Sequence, residues 1–254
     1  MSDLPLLPPQ YDLVALETVD SVLEECRRRA ENGAEEGLLI WAQQQTAAFG
    51  RFDQPWYAPP GNLHCAVLLR PEFPAEHADQ LTYVTALSIG TALATLISPM
   101  AGLRYRWPNN VVMNDGKVAA IHLKAPKSQN GSFDWLAIGL SVNIRDYPED
   151  TPFPALSVHA VDGSADITAV QVLEGYSRQL LSWLNRWAND GLPPILKAWS
   201  LRADDIGDET EIRLGSVVLP GQFVRLDSRG AMVLAQPEGI ERAITVAEFL
   251  DLSI

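Results

Sequence analysis

The sequence is poor in cysteine, in positive charge and in long apolar runs. Its 254 residues contain two cysteines, Cys26 and Cys65, which excludes a disulfide-rich scaffold and predicts buried thiols in a reducing compartment. The sequence has only 19 Lys and Arg residues but 32 Asp and Glu residues, and the resulting net charge of −13 repels nucleic-acid phosphates. No run of about 20 apolar residues occurs. We therefore expect a soluble, cytoplasmic protein with neither a nucleic-acid nor a membrane partner.

The order of the sequence patterns predicts an α+β protein. A first helix over residues 20–33 has Ser21 and Glu24 at the spacing of a capping box. A second stretch, residues 75–98, is apolar nearly all round and predicts one buried helix against a sheet. The longest helix is predicted after Thr168.

After Gly207 the chain changes to short strands with glycine turns every eight to ten residues, a pattern typical of a small β-barrel. The predicted domains are accordingly residues 1–203, with a mixed central sheet, and residues 204–254, an all-β unit.

One short segment raises a functional question. Residues 104–124 read "RYRWPNNVVMNDGKVAAIHLK", with an Asn-Asp-Gly hairpin turn followed by a single lysine, Lys117. Asn109 and Asn110 lie just before the turn, on what the pattern predicts as the neighbouring strand. The segment is either an ordinary hairpin or the edge of a site that needs amides and one positive charge.

The order of motifs resembles that of the biotin protein ligases, in the superfamily that also holds the lipoate ligases. The motifs that carry the resemblance read "DSVLEE", "QTAAFGRFDQPW", "PPGNLHCAV", "RWPNN" followed by "KVAAIH", "GLSVN" and "GDETEIRLGSVVLPGQFVRL". Six motifs in one order are far more specific than any single one. The resemblance implies a biotin/lipoate ligase-like catalytic domain followed by an SH3-like β-barrel, without the DNA-binding domain of repressor-type members.

The resemblance also implies a reaction and its participants. Such ligases join biotin or a related small carboxylate to ATP, with Mg²⁺, and transfer the acyl group from the adenylate to a lysine of a biotinyl or lipoyl carrier protein. A homodimer is a further expectation from the family.

Matching the motifs residue by residue assigns the expected site. Catalytic roles are implied for Lys117, Arg51 and Asn143, with Lys117 reaching the carboxylate and α-phosphate. Contacts to ligand are implied for a larger set near the motifs: Ser21, Gln45, Phe49, Gly50, Trp56, Trp107, Asn109, Asn110, Ala120 and Leu123. We expect Arg51, Trp56, Asn109, Asn110, Lys117 and Asn143 to line one cleft.

Several positions depart from the family pattern. Asn110 stands where the family has Asp, Ala120 and Ser141 replace glycines, and Phe49 and Asp53 change the phosphate loop. These changes predict weakened catalysis or a shifted ligand preference, and they support an alternative hypothesis. In it, the protein is a non-catalytic binder or sensor of a small carboxylate, an adenylate or a carrier protein.

A third hypothesis, acyl transfer without ATP through Cys65, is disfavoured. Cys65 lies inside an apolar strand, and the adjacent His64 points to the opposite face.

Overall fold

The large sheet forms the centre of the molecule in the computed structural model, which describes residues 4–50, 55–149, 151, 153–163, 166–237 and 239–252. Its seven strands are β1 (Asp12–Val19), β2 (Leu38–Gln45), β3 (Leu63–Leu69), β4 (Leu103–Arg106), β5 (Asn110–Met113), β6 (Gly116–Lys124) and β7 (Leu136–Val142). They lie in the order β1-β2-β3-β7-β6-β5-β4. β1 and β2 are parallel and all other neighbours are antiparallel.

Helices cover both faces of this sheet. They are α1 (Val22–Glu31), α2 (Leu81–Ala94), α3 (Val158–Asp162), α4 (Ala169–Asp190), α5 (Leu192–Ser200) and α6 (Val246–Leu250). The apolar stripe of α1 packs Val22, Cys26 and Ala30 on one face of the sheet. The larger core, which includes α2 and α4, lies on the other face. Alternation along each strand therefore separates side chains that face α1 from side chains in the main core.

Local predictions agree with the structure in part. The hairpin turn before Lys117 has positive φ at Asn114 and Asp115, as predicted. Thr168 caps α4 with the full capping box. The single helix predicted over 75–98 is wrong in extent, because Ala75–Gln80 forms a 3₁₀ helix that precedes α2. Short 3₁₀ turns are common where an α-helix begins.

The C-terminal strands form their own sheet. These are β8 (Glu209–Leu214), β9 (Val217–Leu226), β10 (Met232–Ala235) and β11 (Glu241–Ile244). They are antiparallel in the order β11-β10-β9-β8, and in the described part of the chain none of them joins the large sheet. The predicted α+β class is confirmed, while the boundary between residues 203 and 204 stays a prediction.

Trp107 lies where the two sheets meet. Its indole Nε1 donates to the Tyr83 hydroxyl at 2.8 Å, and that hydroxyl in turn donates to the carbonyl of Gly230 in the C-terminal sheet region. The Trp107 ring packs edge-on against Phe249 and Phe223, with centroids 5.0 and 6.4 Å away. Burial of these aromatic rings joins the C-terminal sheet to the main core.

No helix among the described residues is both long and apolar enough to span a bilayer.

A partly buried carboxyl beside this junction makes stability depend on pH. One oxygen of Asp205 accepts the backbone N–H of Trp107 at 3.2 Å, and the other is buried without a partner among the described residues. Burial raises the pKa of Asp205 to about 7. The folded state therefore keeps a proton that the unfolded chain has released above about pH 4. Stability should fall as the pH rises through this window.

We predict that Asp205→Asn flattens this decline, because its amide cannot ionise. The measurement is the free energy of unfolding by denaturant between pH 5 and pH 8. The exposed Asp208→Asn is the control and should keep the decline of the unmodified protein. An equally steep decline in Asp205→Asn would contradict the assignment.

Candidate functional site

A pocket opens on the α1 side of the large sheet, close to the N-terminus of α1. It encloses about 300 Å³ of space, part of it open to solvent. The lining comes from α1, β2, β6, β7 and the segment after β2: Ser21, Val22, Leu23, Gln45, Ala48, Phe49, Trp56, His122, Gly139, Leu140 and Ser141. None of these lining side chains is acidic, so a ligand carboxylate would meet no negative charge from them.

The pairing of β6 with β7 builds the floor. Ala120 lies opposite Ser141 and His122 opposite Gly139, and directly paired residues share one face of a sheet. Ala120, predicted to contact the ligand, shares this face but is not itself among the lining residues. Gly139 also allows α1 to come close, since a Cβ at this position would lie within 2.7–2.9 Å of side-chain carbons of Leu23. Because Gly139 has no side chain, Leu23 of α1 packs directly against the backbone of this part of the floor.

Gln45 holds the start of α1. Its side-chain Oε1 accepts the backbone N–H of Val22 at 2.8 Å. Ser21 occupies the N-cap position, but its side chain makes no cap hydrogen bond. The predicted capping box of Ser21 and Glu24 is therefore wrong, because the Glu24 carboxylate pairs with Arg27 at 2.8 Å and with Lys124.

Lys117 reaches the pocket through Trp56. Its ammonium lies 5.0 Å from the centroid of the Trp56 ring, a cation–π contact. The Trp56 ring meets His122 edge-on, with centroids 6.3 Å apart. Burial lowers the pKa of Lys117, and burial followed by the Lys117 charge lowers the pKa of His122 to about 4. At neutral pH the His122 imidazole beside Lys117 is therefore neutral.

Within the ranges that the structure describes, no carboxylate lies within 4.0 Å of the Lys117 ammonium. A partly buried cation without a carboxylate partner attracts an anionic ligand, because the interaction with such a ligand is weakly screened.

Asn143 and Lys117 both form hydrogen bonds with the same segment, residues 154–156. Lys117 exchanges backbone hydrogen bonds with Pro154 and Leu156 at 2.8 and 3.1 Å, and the Asn143 amide donates to the Leu156 carbonyl at 3.3 Å. The Asn143 Oδ1 is buried without a partner among the described residues. An unsatisfied buried acceptor is costly, and a ligand donor would relieve that cost.

The two asparagines before the hairpin make mainly internal contacts. Asn109 donates from its amide to the Ile121 carbonyl at 2.8 Å and is buried. Asn110 donates to the Asn109 side chain at 3.4 Å and pairs with Ala120 across the sheet. They stabilise the edge of β5 beside the floor rather than line the pocket.

The remaining predicted residues have diverse positions. Phe49 lines the pocket but is 42% exposed, and Gly50 follows it. Leu123 is buried in the main core, on the face of β6 opposite to His122, and Trp107 lies at the junction of the sheets. Arg51 lies outside the described residues, as does Asp53. The expected single cleft is therefore untested at Arg51.

Sequence reasoning missed His122 and Gly139 as lining residues. The signal was present in "KVAAIH", where His122 alternates with Ala120 and so shares its face. A histidine in an otherwise apolar strand is most simply interpreted as a buried core residue, and that interpretation hides its place in the pocket lining.

The residues that line this pocket do not suit Mg²⁺ held by the protein alone. No group of three His, Cys, Asp or Glu residues suited to a metal occurs in the part of the chain that the structure describes. The residues that line the pocket offer no carboxylate, the ligand that Mg²⁺ prefers. The Lys117 ammonium contacts one of these lining residues, Trp56.

Comparison with known proteins gives consistent results. The sequence profile of the biotin/lipoate A/B protein ligase family matches residues 55–201. The biotin–[acetyl-CoA-carboxylase] ligase of Paracoccus denitrificans is 32% identical over 238 residues, which cover 92% of this chain and 98% of that protein.

Solved structures have the same fold. The biotin protein ligase of Aquifex aeolicus in complex with biotin and ATP is 26% identical, with a TM-score of 0.79 over 93% of this chain and 97% of that one. A biotin protein ligase-like protein of unknown function from Silicibacter sp. TM1040 has the same TM-score of 0.79 at 23% identity, over 97% and 99% of the two chains. The second similarity shows the fold alone.

The hydrogen bond at the start of α1 predicts different effects on stability for substitutions at Gln45 and at Ser21. Gln45→Leu removes the acceptor for the Val22 N–H and should lower the free energy of unfolding by about 1 kcal/mol. Ser21→Ala should change it far less, because the Ser21 side chain makes no cap bond. Denaturant unfolding of the two variants, with the exposed Gln44→Leu as control, measures the difference. A larger loss of unfolding free energy from Ser21→Ala than from Gln45→Leu would instead support the capping box of Ser21 and Glu24.

Proposed function

The chain belongs to the biotin/lipoate A/B protein ligase family, and from that premise we propose that it joins biotin, or a closely related carboxylate, to ATP. The acyl group then passes to a lysine of a carrier protein. In the first step a carboxylate oxygen bonds to the α-phosphorus and pyrophosphate leaves. In the second, the lysine amine bonds to the acyl carbon, AMP leaves and the amine loses a proton.

The first step has an electrostatic difficulty. A carboxylate must approach a triphosphate, and a pair of like charges 4 Å apart costs about 4 kcal/mol at an effective dielectric constant near 20. The chain itself carries a net charge of −13. A cation fixed at the meeting point is thus the main requirement, and positioned charge of this kind is usually the largest contribution to catalysis.

Lys117 is the observation that carries the proposal. Its ammonium is partly withdrawn from water, lies on the Trp56 ring, and has no carboxylate counter-charge among the described residues. Asn143 stands beside it with an unsatisfied acceptor. In this proposal Lys117 binds the acid's carboxylate and the α-phosphate together, and Trp56 holds the lysine side chain before the ligand arrives.

The pocket suits the body of the acid. Its floor and walls are uncharged, and polar groups are supplied by Ser21, Gln45, His122 and Ser141. An apolar cavity with a few fixed polar groups is the usual form of a small-molecule site. ATP would lie on the Lys117 side of the pocket.

One observation favours the alternative, a binder of a carboxylate, adenylate or carrier protein without catalysis. Asn110 replaces an acid of the family pattern with an amide, which bonds to Asn109 at 3.4 Å and brings no negative charge. The pocket could then still bind the acid while the ATP step is slow. A homodimer stays a prediction.

Replacing Lys117 tests the proposal. Lys117→Gln removes the charge at nearly constant length and should reduce biotin-dependent pyrophosphate release from ATP by about 100- to 1,000-fold, the usual cost of one positioned group. The exposed Lys197→Gln is the matched control and should keep the full rate.

Two other outcomes would be decisive. If Lys117→Gln and Lys197→Gln release pyrophosphate at equal rates, Lys117 is not the catalytic cation. If the unmodified protein is stabilised by biotin in thermal unfolding but releases no pyrophosphate with ATP, the binder hypothesis replaces the ligase.

A further inference from the structure

His64 lies beside Ser141 on the pocket face of the sheet, with its ring between two oxygen atoms. Its neighbour Cys65 faces the main core, so His64 faces α1, and it is fully buried. The ring Nε2 lies 3.4 Å from the Pro59 carbonyl oxygen, and Nδ1 lies 3.3 Å from the Ser141 hydroxyl. These two contacts fix what each ring nitrogen does.

The Pro59 carbonyl determines which tautomer His64 adopts. A carbonyl oxygen can only accept, so Nε2 must carry the proton in order to donate to Pro59. Burial lowers the pKa of His64 to about 4, and the ring is neutral at physiological pH. Nδ1 therefore bears a lone pair and can only accept. The Ser141 hydroxyl, which has a single hydrogen, must donate that hydrogen to His64.

Ser141 is thereby left with acceptor capacity alone toward the pocket. It pairs with His64 on one side and with Ala120 on the other, and all three share the face that lines the floor. The methyl group of Ala120 offers no hydrogen bond. Ser141 is itself a pocket-lining residue, so its oxygen lone pairs are the polar feature that this row presents to a ligand.

Resting on the proposed function, we propose that Ser141, fixed as an acceptor by His64, determines which acid the pocket selects. It favours a head group with an N–H or O–H donor, such as the ureido ring of biotin. A dithiolane ring such as that of lipoate has no such donor. Binding it would strip water from the Ser141 oxygen without replacing the lost hydrogen bond, and an unpaired buried polar group is what makes polar sites selective.

Gln45 provides the complementary group. Its Oε1 is committed to the Val22 N–H, so its amide nitrogen is the atom left to donate. The pocket thus combines one fixed acceptor with one fixed donor, which suits a head group that carries both, as an amide or a urea does. Ser141 is a specificity-determining residue in this account, and His64 is a positioning residue that acts through it.

The experiment compares two acids on the full-length protein by isothermal titration calorimetry, without ATP. The unmodified protein should bind biotin more tightly than lipoate. Ser141→Ala should weaken biotin binding by about 10- to 100-fold and leave lipoate binding unchanged or improved, so that the ratio of the two affinities collapses. Ser88→Ala is the matched control, because Ser88 is a buried serine whose hydroxyl bonds within α2 at the Val84 carbonyl.

A second measurement needs no variant. Nitrogen-15 NMR of the histidine side chains should show His64 as the neutral tautomer with its proton on Nε2. A proton on Nδ1 would overturn the inference, since the Ser141 hydroxyl would then be free to donate to the ligand.

The outcomes separate this inference from the function on which it rests. If Ser141→Ala binds biotin and lipoate with the same ratio as the unmodified protein, the specificity role is refuted while the ligase proposal stands. If the unmodified protein binds neither acid, the proposed function falls and this inference falls with it.

Discussion

The register between β6 and β7 is the constraint on which the rest of the site depends. Because Ala120 pairs with Ser141 and His122 with Gly139, these four floor positions face α1, while the alternate residues enter the main core. A slip of one residue would exchange the two sets. The apolar core on the far face opposes such a slip, so burial of the core also positions the pocket.

The second requirement is a positive charge in an acidic protein. Solvent-exposed lysines in a chain of net charge −13 would be screened or paired. Lys117 differs from such lysines because it lies at the start of a buried strand and rests on Trp56, and the proposed function assigns its charge to an anionic ligand. The cost of burial is seen in its lowered pKa.

Sequence patterns predicted what depends on local chemistry. They predicted the Asn114–Asp115 turn, the cap at Thr168 and the apolar surface of α2, each of which follows from a few adjacent residues. The predictions failed where contacts with residues distant in the sequence override the local preference. Glu24 is drawn from the cap of α1 by Lys124, and β1 was not predicted because its alternating pattern lies beside a proline-rich segment.

The same limit applies to the site. Lys117 and Trp56 followed from the motif resemblance, whereas the roles of His64 and His122 depend on which strands are neighbours. Leu123 was expected at the ligand because it directly follows the "KVAAIH" motif, but the period of two along β6 places it in the core.

The most direct test of this account is a crystal structure of the protein with a non-hydrolysable analogue of biotinyl-5′-AMP. The account predicts that the acyl-phosphate linkage lies within about 3.5 Å of the Lys117 ammonium and that the ureido ring reaches the Ser141 hydroxyl. An analogue bound away from this pocket, with Lys117 still resting on Trp56 and touching no ligand oxygen, would contradict it.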